Sequence, residues 1–283
     1  MSKLWDDITA IRVGGQTVES VMKGDSLVWQ GSVFAQYMLE DNLPPVIIKP
    51  ENGHYALNGF ATTIEAAMGF GRNSEGAFTD SNGQLAIAAS GEARVNHDKD
   101  GNFDQVFMHP AETNLLPESA DFSAASWAKN KLYTPTANSA ISYTGSSYEI
   151  KANGTNGIIS DNGIALSSDD YSMWWVAKAG SADFAYVFCS GFTASETCYV
   201  DLTDGSVSNI VGGNMTWTTE DLGNGEWLIK GHGGLAGADK IGNFGIGPRN
   251  TAGANSADGD SIHVALCMAA NADKIYSYVP STG

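Results

Sequence analysis

The sequence predicts an all-β protein, and three observations carry that expectation. Apolar runs are short throughout the chain. They alternate at close intervals with turn pairs such as Asn52-Gly53, Asn82-Gly83, Asp100-Gly101, Asp204-Gly205 and Asn224-Gly225. Almost no apolar pattern repeats with the 3.6-residue period of a helix. The composition agrees: 33 Gly, 10% aromatic and 17% charged residues describe a turn-rich globular chain that is too aromatic for a disordered one.

At 283 residues the chain suits two or three small domains. Residues 1–30 read as a small antiparallel meander of three apolar runs: Ile8, Ile11 and Val13; then Val18 and Val21; then Leu27-Val28-Trp29. Gly14-Gly15 and Gly24-Asp25 separate them. So short a piece cannot bury enough surface to stand alone and should dock on something larger. Residues 31–112 form a hairpin-rich connector with runs at 46–48, 60–64, 85–89 and 106–108. Within it Ile64 to Met68 could make a turn or two of helix. So weak a core suggests that the connector completes its packing against neighbouring copies.

Residues 113–283 carry about nine strands between Gly, Asn and Asp turns, the pattern of a two-sheet jelly-roll β-sandwich. They fall near 143 and 148–150, then at 171–177, 185–189, 198–202, 215–217, 227–229, 244–246 and 262–268. In the last strand, alternation places Ile262, Val264, Leu266 and Met268 on one face and His263, Ala265 and Cys267 on the other.

Several functions are disfavoured. A formal charge of −17 and a pI near 4.4 argue against nucleic acid or an anionic membrane as the main partner. The apolar run Val264 to Ala270 is far too short to span a bilayer, and the first residues lack the apolar core of a signal peptide. The expectation is synthesis in a cytoplasm, without membrane insertion. Cys189, Cys198 and Cys267 lack metal-knuckle spacing and read as buried thiols. Five scattered His give no metal motif. The stretch Asp98 to Asp104 has carboxylates that could suit calcium, but Asp-Gly between strand-like residues is first a hairpin turn.

Gly24-Asp25-Ser26-Leu27 spells the opening block of GDSL esterases, with Asn214 and the Asp260 to His263 stretch as further short matches. The flanks of Ser26 alternate like a hairpin, so Ser26 reads as a turn residue and not a nucleophile. Carboxylates for glycoside cleavage could be paired only in space, and a depolymerase built as a parallel β-helix needs repeats that are absent. The expectation is a non-enzyme with no catalytic residues, no cofactor and no metal.

The ordered motifs resemble a known family. Thr113-Asn114-Leu115-Leu116, followed by Ser119, Asp121-Phe122-Ser123 and Trp127, is similar to the motif opening a β-sandwich in phage head-spike, tail-fibre and gene-transfer-agent spike proteins. Matching steps follow at Val176 to Gly180, Val200 to Gly205, Asp221 to Trp227 and Ser277 to Thr282, and Ala93 to Asp98 resembles the segment preceding the motif. Glu112 departs from the pattern, which usually has Arg there. Residues 1–30 are similar to the short module that opens many tail and fibre proteins. The resemblance implies a virion spike or fibre anchored by residues 1–30, homo-oligomeric with a trimer favoured, and bearing a carbohydrate-binding-like sandwich. Its implied partners are a host-surface or capsular polysaccharide and other virion proteins. The competing reading is a purely structural head or tail connector that binds no sugar.

Sugar binding needs exposed aromatic faces for pyranose C–H groups and nearby oxygens for hydroxyls. Trp174 and Trp175 are adjacent, so one must leave the sandwich; Tyr171, Met173, Trp175 and Ala177 form the more apolar set, which makes Trp174 the outer candidate. It could instead pack against a loop or a neighbouring subunit. Trp217, in the polar run Thr216 to Thr219, is the second candidate, while Trp127 and Trp227 are assigned to the core. With a charge of −17, a neutral polysaccharide is favoured over an acidic one.

Overall fold

The computed structural model describes seven strands between residues 11 and 61, and residues 75–107, 113–116, 118–166, 170–190, 195–212, 214–235, 240–271 and 278–281. It is all-β among these residues and divides into two compact units, 1–73 with 90–93, and 74–89 with 94–283.

In the first unit β1 (Ile11–Val13) pairs with β2 (Gln16–Val18), and β3 (Val21–Lys23) pairs with β4 (Ser26–Trp29). β5 (Val46–Lys49), β6 (His54–Leu57) and β7 (Phe60–Ala61) form a three-stranded antiparallel sheet. Two separate hairpins thus stand where the sequence predicts a single meander over 1–30. Lys23 pairs with Ser26, so Ser26 opens a hairpin strand rather than a strand-to-helix elbow. The helical turn expected at 64–68 lies outside the described residues.

The second unit begins with two hairpins, β8 (Gly76–Thr79) with β9 (Leu85–Ala88) and β10 (Arg94–His97) with β11 (Phe103–Phe107). Both turns use the same device. Asp80 Oδ1 accepts from the backbone N–H groups of Asn82 and Gln84 at 2.8 and 3.0 Å, and Asp98 Oδ1 from those of Asp100 and Asn102, both at 2.9 Å. The Asp98 to Asp104 stretch is thus a hairpin turn whose first carboxylate is engaged by backbone amides. The two tips pack reciprocally. A Cβ on Gly83 would strike the Lys99 carbonyl, and one on Gly101 the Ser81 carbonyl.

The sandwich follows: β12 (Trp127–Asn130), β13 (Thr136–Asn138), β14 (Ser147–Lys151), β15 (Ile158–Leu166), β16 (Asp170–Ala179), β17 (Phe184–Ser190), β18 (Glu196–Asp201), β19 (Val207–Val211), β20 (Met215–Gly223), β21 (Glu226–Leu235), β22 (Lys240–Arg249) and β23 (Ser261–Ala270). The first six-stranded sheet runs β12-β15-β22-β17-β18-β19, the second β13-β14-β23-β16-β21-β20, and every pairing is antiparallel. Chain neighbours repeatedly switch sheets, the jelly-roll arrangement the turn spacing predicts.

Between the sheets, Tyr171, Met173, Trp175 and Ala177 of β16 meet Trp127, Ile159, Val187, Val200, Phe244 and Ile246. Phe122, Trp127 and Trp175 form an aromatic triad with centroids 5.1 to 6.2 Å apart. The segment after residue 113 seals this core along β23. Leu115 N–H donates to Ala269 O at 2.7 Å, Asn114 Nδ2 to Cys267 O at 3.2 Å and Val279 O at 2.9 Å, and Leu116 and Phe122 are fully buried. The three thiols are free and buried.

The second sheet is apolar on its outer face as well. Val176, Leu222, Leu228, Leu266 and Met268 pack there with Ala77, Ile141 and Tyr278, and Leu85 and Tyr143 join them. Leu85 N–H donates to Tyr143 O at 2.7 Å and Ala77 N–H to Tyr278 O at 2.9 Å. Two expectations are corrected here. Residue 113 does not begin the compact unit, because the β8–β9 hairpin is part of this second core. The faces of β23 also differ from simple alternation. Val176 pairs with Leu266 but Ala177 with Val264, so Ala265 is an extra residue. Ile262, Val264, Cys267 and Ala269 therefore face inward, and Leu266 and Met268 outward.

Candidate functional site

The structure separates the two Trp candidates instead of joining them. Trp174 does leave the inter-sheet core, as alternation requires, but it packs beside the second core, with Lys230 Nζ 5.6 Å from its ring centroid. Trp217 is 6% exposed and belongs to the core between the sheets. The polar residues around it mislead, because Thr216 and Thr218 point out while Met215 and Trp217 point in. A Cβ on Gly231, its partner on β21, would lie 2.7 Å from Trp217 Cζ3, so glycine there lets the indole lie over the strand. Trp217 offers no ring face to a ligand. Trp127 is core as expected, and Trp227 is half-buried against it. The short matches to an esterase are occupied too: Asn214 Nδ2 donates to the buried Glu196 at 2.9 Å, and His263 Nδ1 lies 3.2 Å from Asn138 Nδ2.

The outer face of the first sheet is different. On β17 the burial pattern alternates so that Ala185, Val187 and Cys189 enter the core while Phe184, Tyr186, Phe188 and Ser190 are half-buried on the outside. β18 adds Thr197 and Tyr199 in the same sense. Register aligns Tyr186 with Tyr199 and Phe188 with Thr197 on one side, and Phe188 with Gly245 and Tyr186 with Gly247 on the other. Three rings are therefore gathered. Tyr186 and Phe188 have centroids 5.9 Å apart and planes within 20°, and Tyr199 lies 5.2 Å from Tyr186 at 53°.

The glycines of β22 let neighbouring groups close over that strand beside these rings. A Cβ on Gly245 would lie 2.7 Å from Phe188 Cζ and 2.7 Å from Ile159 O, so Phe188 reclines across a strand that has no side chain there. At one end a Cβ on Gly247 would strike the Gly157 carbonyl, so the loop after β14 closes over the strand. At the other, Asn243 Nδ2 donates to Ser190 Oγ at 3.1 Å, leaving acceptor and donor capacity on both groups. Burial raises the Tyr186 phenol above its ordinary range, with the Tyr199 phenol adding to the shift. The Tyr186 phenol therefore stays neutral at physiological pH. On β19, Val211 pairs with the outward-facing Thr197 and is 60% exposed, extending the apolar surface to the sheet edge.

No protein-family model matches the chain, and no curated protein matches it. Among solved structures it is similar to TmCBM61 in complex with β-1,4-galactotriose, at 10% identity and a TM-score of 0.37, over 56% of this chain and 97% of that one. It is also similar to the CBM22-1 xylan-binding domain of Paenibacillus barcinonensis Xyn10C (9% identity, TM-score 0.34, 59% and 99% covered). A third is the second N-terminal cellulose-binding domain of Cellulomonas fimi β-1,4-glucanase C (12%, 0.31, 58% and 98%).

Among the described residues no group of three or more His, Cys, Asp or Glu is placed to hold a metal ion. What the outer face of the first sheet presents is aromatic rings with hydrogen-bonding oxygens and nitrogens beside them. Sequence reading had the signal for it, since Phe184-Ala185-Tyr186-Val187-Phe188 alternates two apolar sets. With both sets apolar, nothing in the run says which one faces out.

Proposed function

We propose that the second unit binds a neutral polysaccharide on the outer face of its first sheet. The observation that carries this reading is the near-parallel pair Tyr186 and Phe188, with Tyr199 against Tyr186, on the outer face of β17 and β18. Half-buried rings gathered on one face offer apolar surface to sugar C–H groups, and Tyr199, Thr197, Ser190 and Asn243 supply partners for hydroxyls. A single shallow site binds weakly, so several copies on an oligomer would provide useful avidity. The motif resemblance supports the wider setting: a virion spike or fibre, anchored by its N-terminal residues, trimeric, and directed at a host-surface polysaccharide. A second reading, a structural subunit contacting another protein, is favoured by the exposed Ile210 and Val211 at the sheet edge.

Affinity electrophoresis in gels containing galactan, xylan or hydroxyethylcellulose tests the reading. The full chain should be retarded by at least one of them. The double variant Tyr186→Ala/Phe188→Ala should lose about 2 kcal/mol, or about thirtyfold in affinity, at roughly 1 kcal/mol per stacked ring. Trp174→Ala should migrate like the parent. Unchanged retardation of the double variant would move the site elsewhere.

A further inference from the structure

We infer that Arg249 is the positioning residue of this face, which deepens the saccharide reading and rests on it. Arg249 is 3% exposed, so it touches no ligand directly. Its guanidinium carbon lies 4.7 Å from the Tyr186 ring centroid, and the Tyr199 phenol lies close enough to favour its charge. Nη1 donates to Gly157 O at 3.2 Å and to Pro248 O at 2.7 Å. One cation thus touches three things together: the Tyr186 ring, its neighbour Tyr199, and the loop that lies over Gly247. That loop is tied from its far side as well, by Gly157 N–H donating to the buried Ser256 Oγ at 2.9 Å.

The chemistry explains why arginine is needed. A buried cation is ordinarily matched by a carboxylate. Arg249 makes no ion pair within 4.0 Å among the described residues, the Asp260 carboxylate acting on it only from further off, and its Nε is buried without a hydrogen bond. Fold stability alone gives little reason to keep such a group, since an apolar side chain of similar length could fill the space. A planar guanidinium can stack on a ring and donate to carbonyls in the same plane, which an ammonium cannot do. Arg249 therefore holds the aromatic pair in its stacking geometry before a ligand arrives, and removing it leaves Tyr186 free to rotate off the platform.

The test uses the full chain with Arg249→Met and Arg249→Lys, in the same galactan, xylan and hydroxyethylcellulose gels, run well below the melting temperature of each variant and paired with calorimetry. Arg249→Met should keep a cooperative melt yet bind about tenfold more weakly, and Arg249→Lys, which keeps the charge, should recover part of the loss. A merely structural arginine would lower the melting temperature of Arg249→Met and leave its affinity at the parent value, which overturns the proposal. If Arg249→Met does not fold, Arg249→Lys decides: weaker retardation by a folded variant supports positioning, and unchanged retardation overturns it. Loss of binding by Tyr186→Ala/Phe188→Ala with none in the Arg249 variants removes only the positioning role. A parent chain retarded by none of the three polysaccharides removes the saccharide reading and this role with it.

Discussion

A fragment of residues 113–283 is expected to be much less stable than one of residues 74–283. The shorter fragment lacks the β8–β9 hairpin, whose Ala77 and Leu85 cover the outer face of the second sheet. Removing it exposes part of Val176, Leu228, Leu266 and Met268, and full exposure of each such side chain costs about 1.5–3 kcal/mol. Backbone bonds to Tyr143 and Tyr278 and the 3.1 Å contact between the Thr79 and Tyr143 hydroxyls go with it. A partial loss of about 3 kcal/mol would lower the melting temperature by about 10 °C, and the uncovered patch should promote aggregation. Differential scanning calorimetry of both fragments decides it. Equal melting temperatures would show that the sandwich closes without the hairpin and that residue 113 is the true boundary.

The second large effect is expected at Gly205→Ala. The turn between β18 and β19 is over-determined: Gly205 N–H donates to Asp201 O at 2.7 Å, and Ser206 N–H to Asp204 Oδ1 at 2.8 Å. Gly205 sits at φ +77°, where a Cβ carries a penalty of about 1 kcal/mol. A Cβ there would also lie 2.5 Å from Trp227 Cε3 and 2.6 Å from Cη2. The indole cannot easily retreat, because its Nε1 donates to Leu202 O at 3.0 Å and its ring packs on the inter-sheet core. Strain and overpacking together should cost about 3 kcal/mol. Urea unfolding should show a lower midpoint at unchanged slope, and a midpoint matching the parent would mean that the turn relaxes freely.

How far the fold can be read from sequence depends on where local pattern and tertiary structure agree. β16 alternates without interruption between Tyr171 and Ala177, so its inward set is legible. β15 is not, because Asp161-Asn162-Gly163 reads as a turn. In the structure those residues form an irregularity within a continuous strand, with Gly163 N–H donating to Asp161 Oδ1 at 2.8 Å. β23 misleads for a similar reason, since the single extra residue Ala265 reverses the sense of everything after it. Asp204-Gly205 is plainly a turn in the sequence, but nothing local says that an indole lies against it.

The site was less legible than the fold because exposure is a non-local property. Trp174 was correctly turned out of the inter-sheet core, yet a hairpin nearly a hundred residues upstream helps form the second core beside it. Trp217 sat among threonines and still pointed inward. The rings that are gathered on an open face, Tyr186, Phe188 and Tyr199, lie in strands that are apolar on both sides, where period-2 pattern carries no contrast. The glycines that make room beside them, Gly245 and Gly247, gain meaning only once β22 is known to lie next to β17.

The central claim, that the outer face of the first sheet holds a polysaccharide, is most directly tested by NMR on the full chain titrated with xylan and galactan oligosaccharides. Resonances of Tyr186, Phe188, Tyr199 and the Asn243 side-chain amide should shift progressively and saturate together, while those of Trp174 and Trp217 stay in place. Shifts centred on Trp174, or no saturable shift on β17, β18 and β22, would contradict the account.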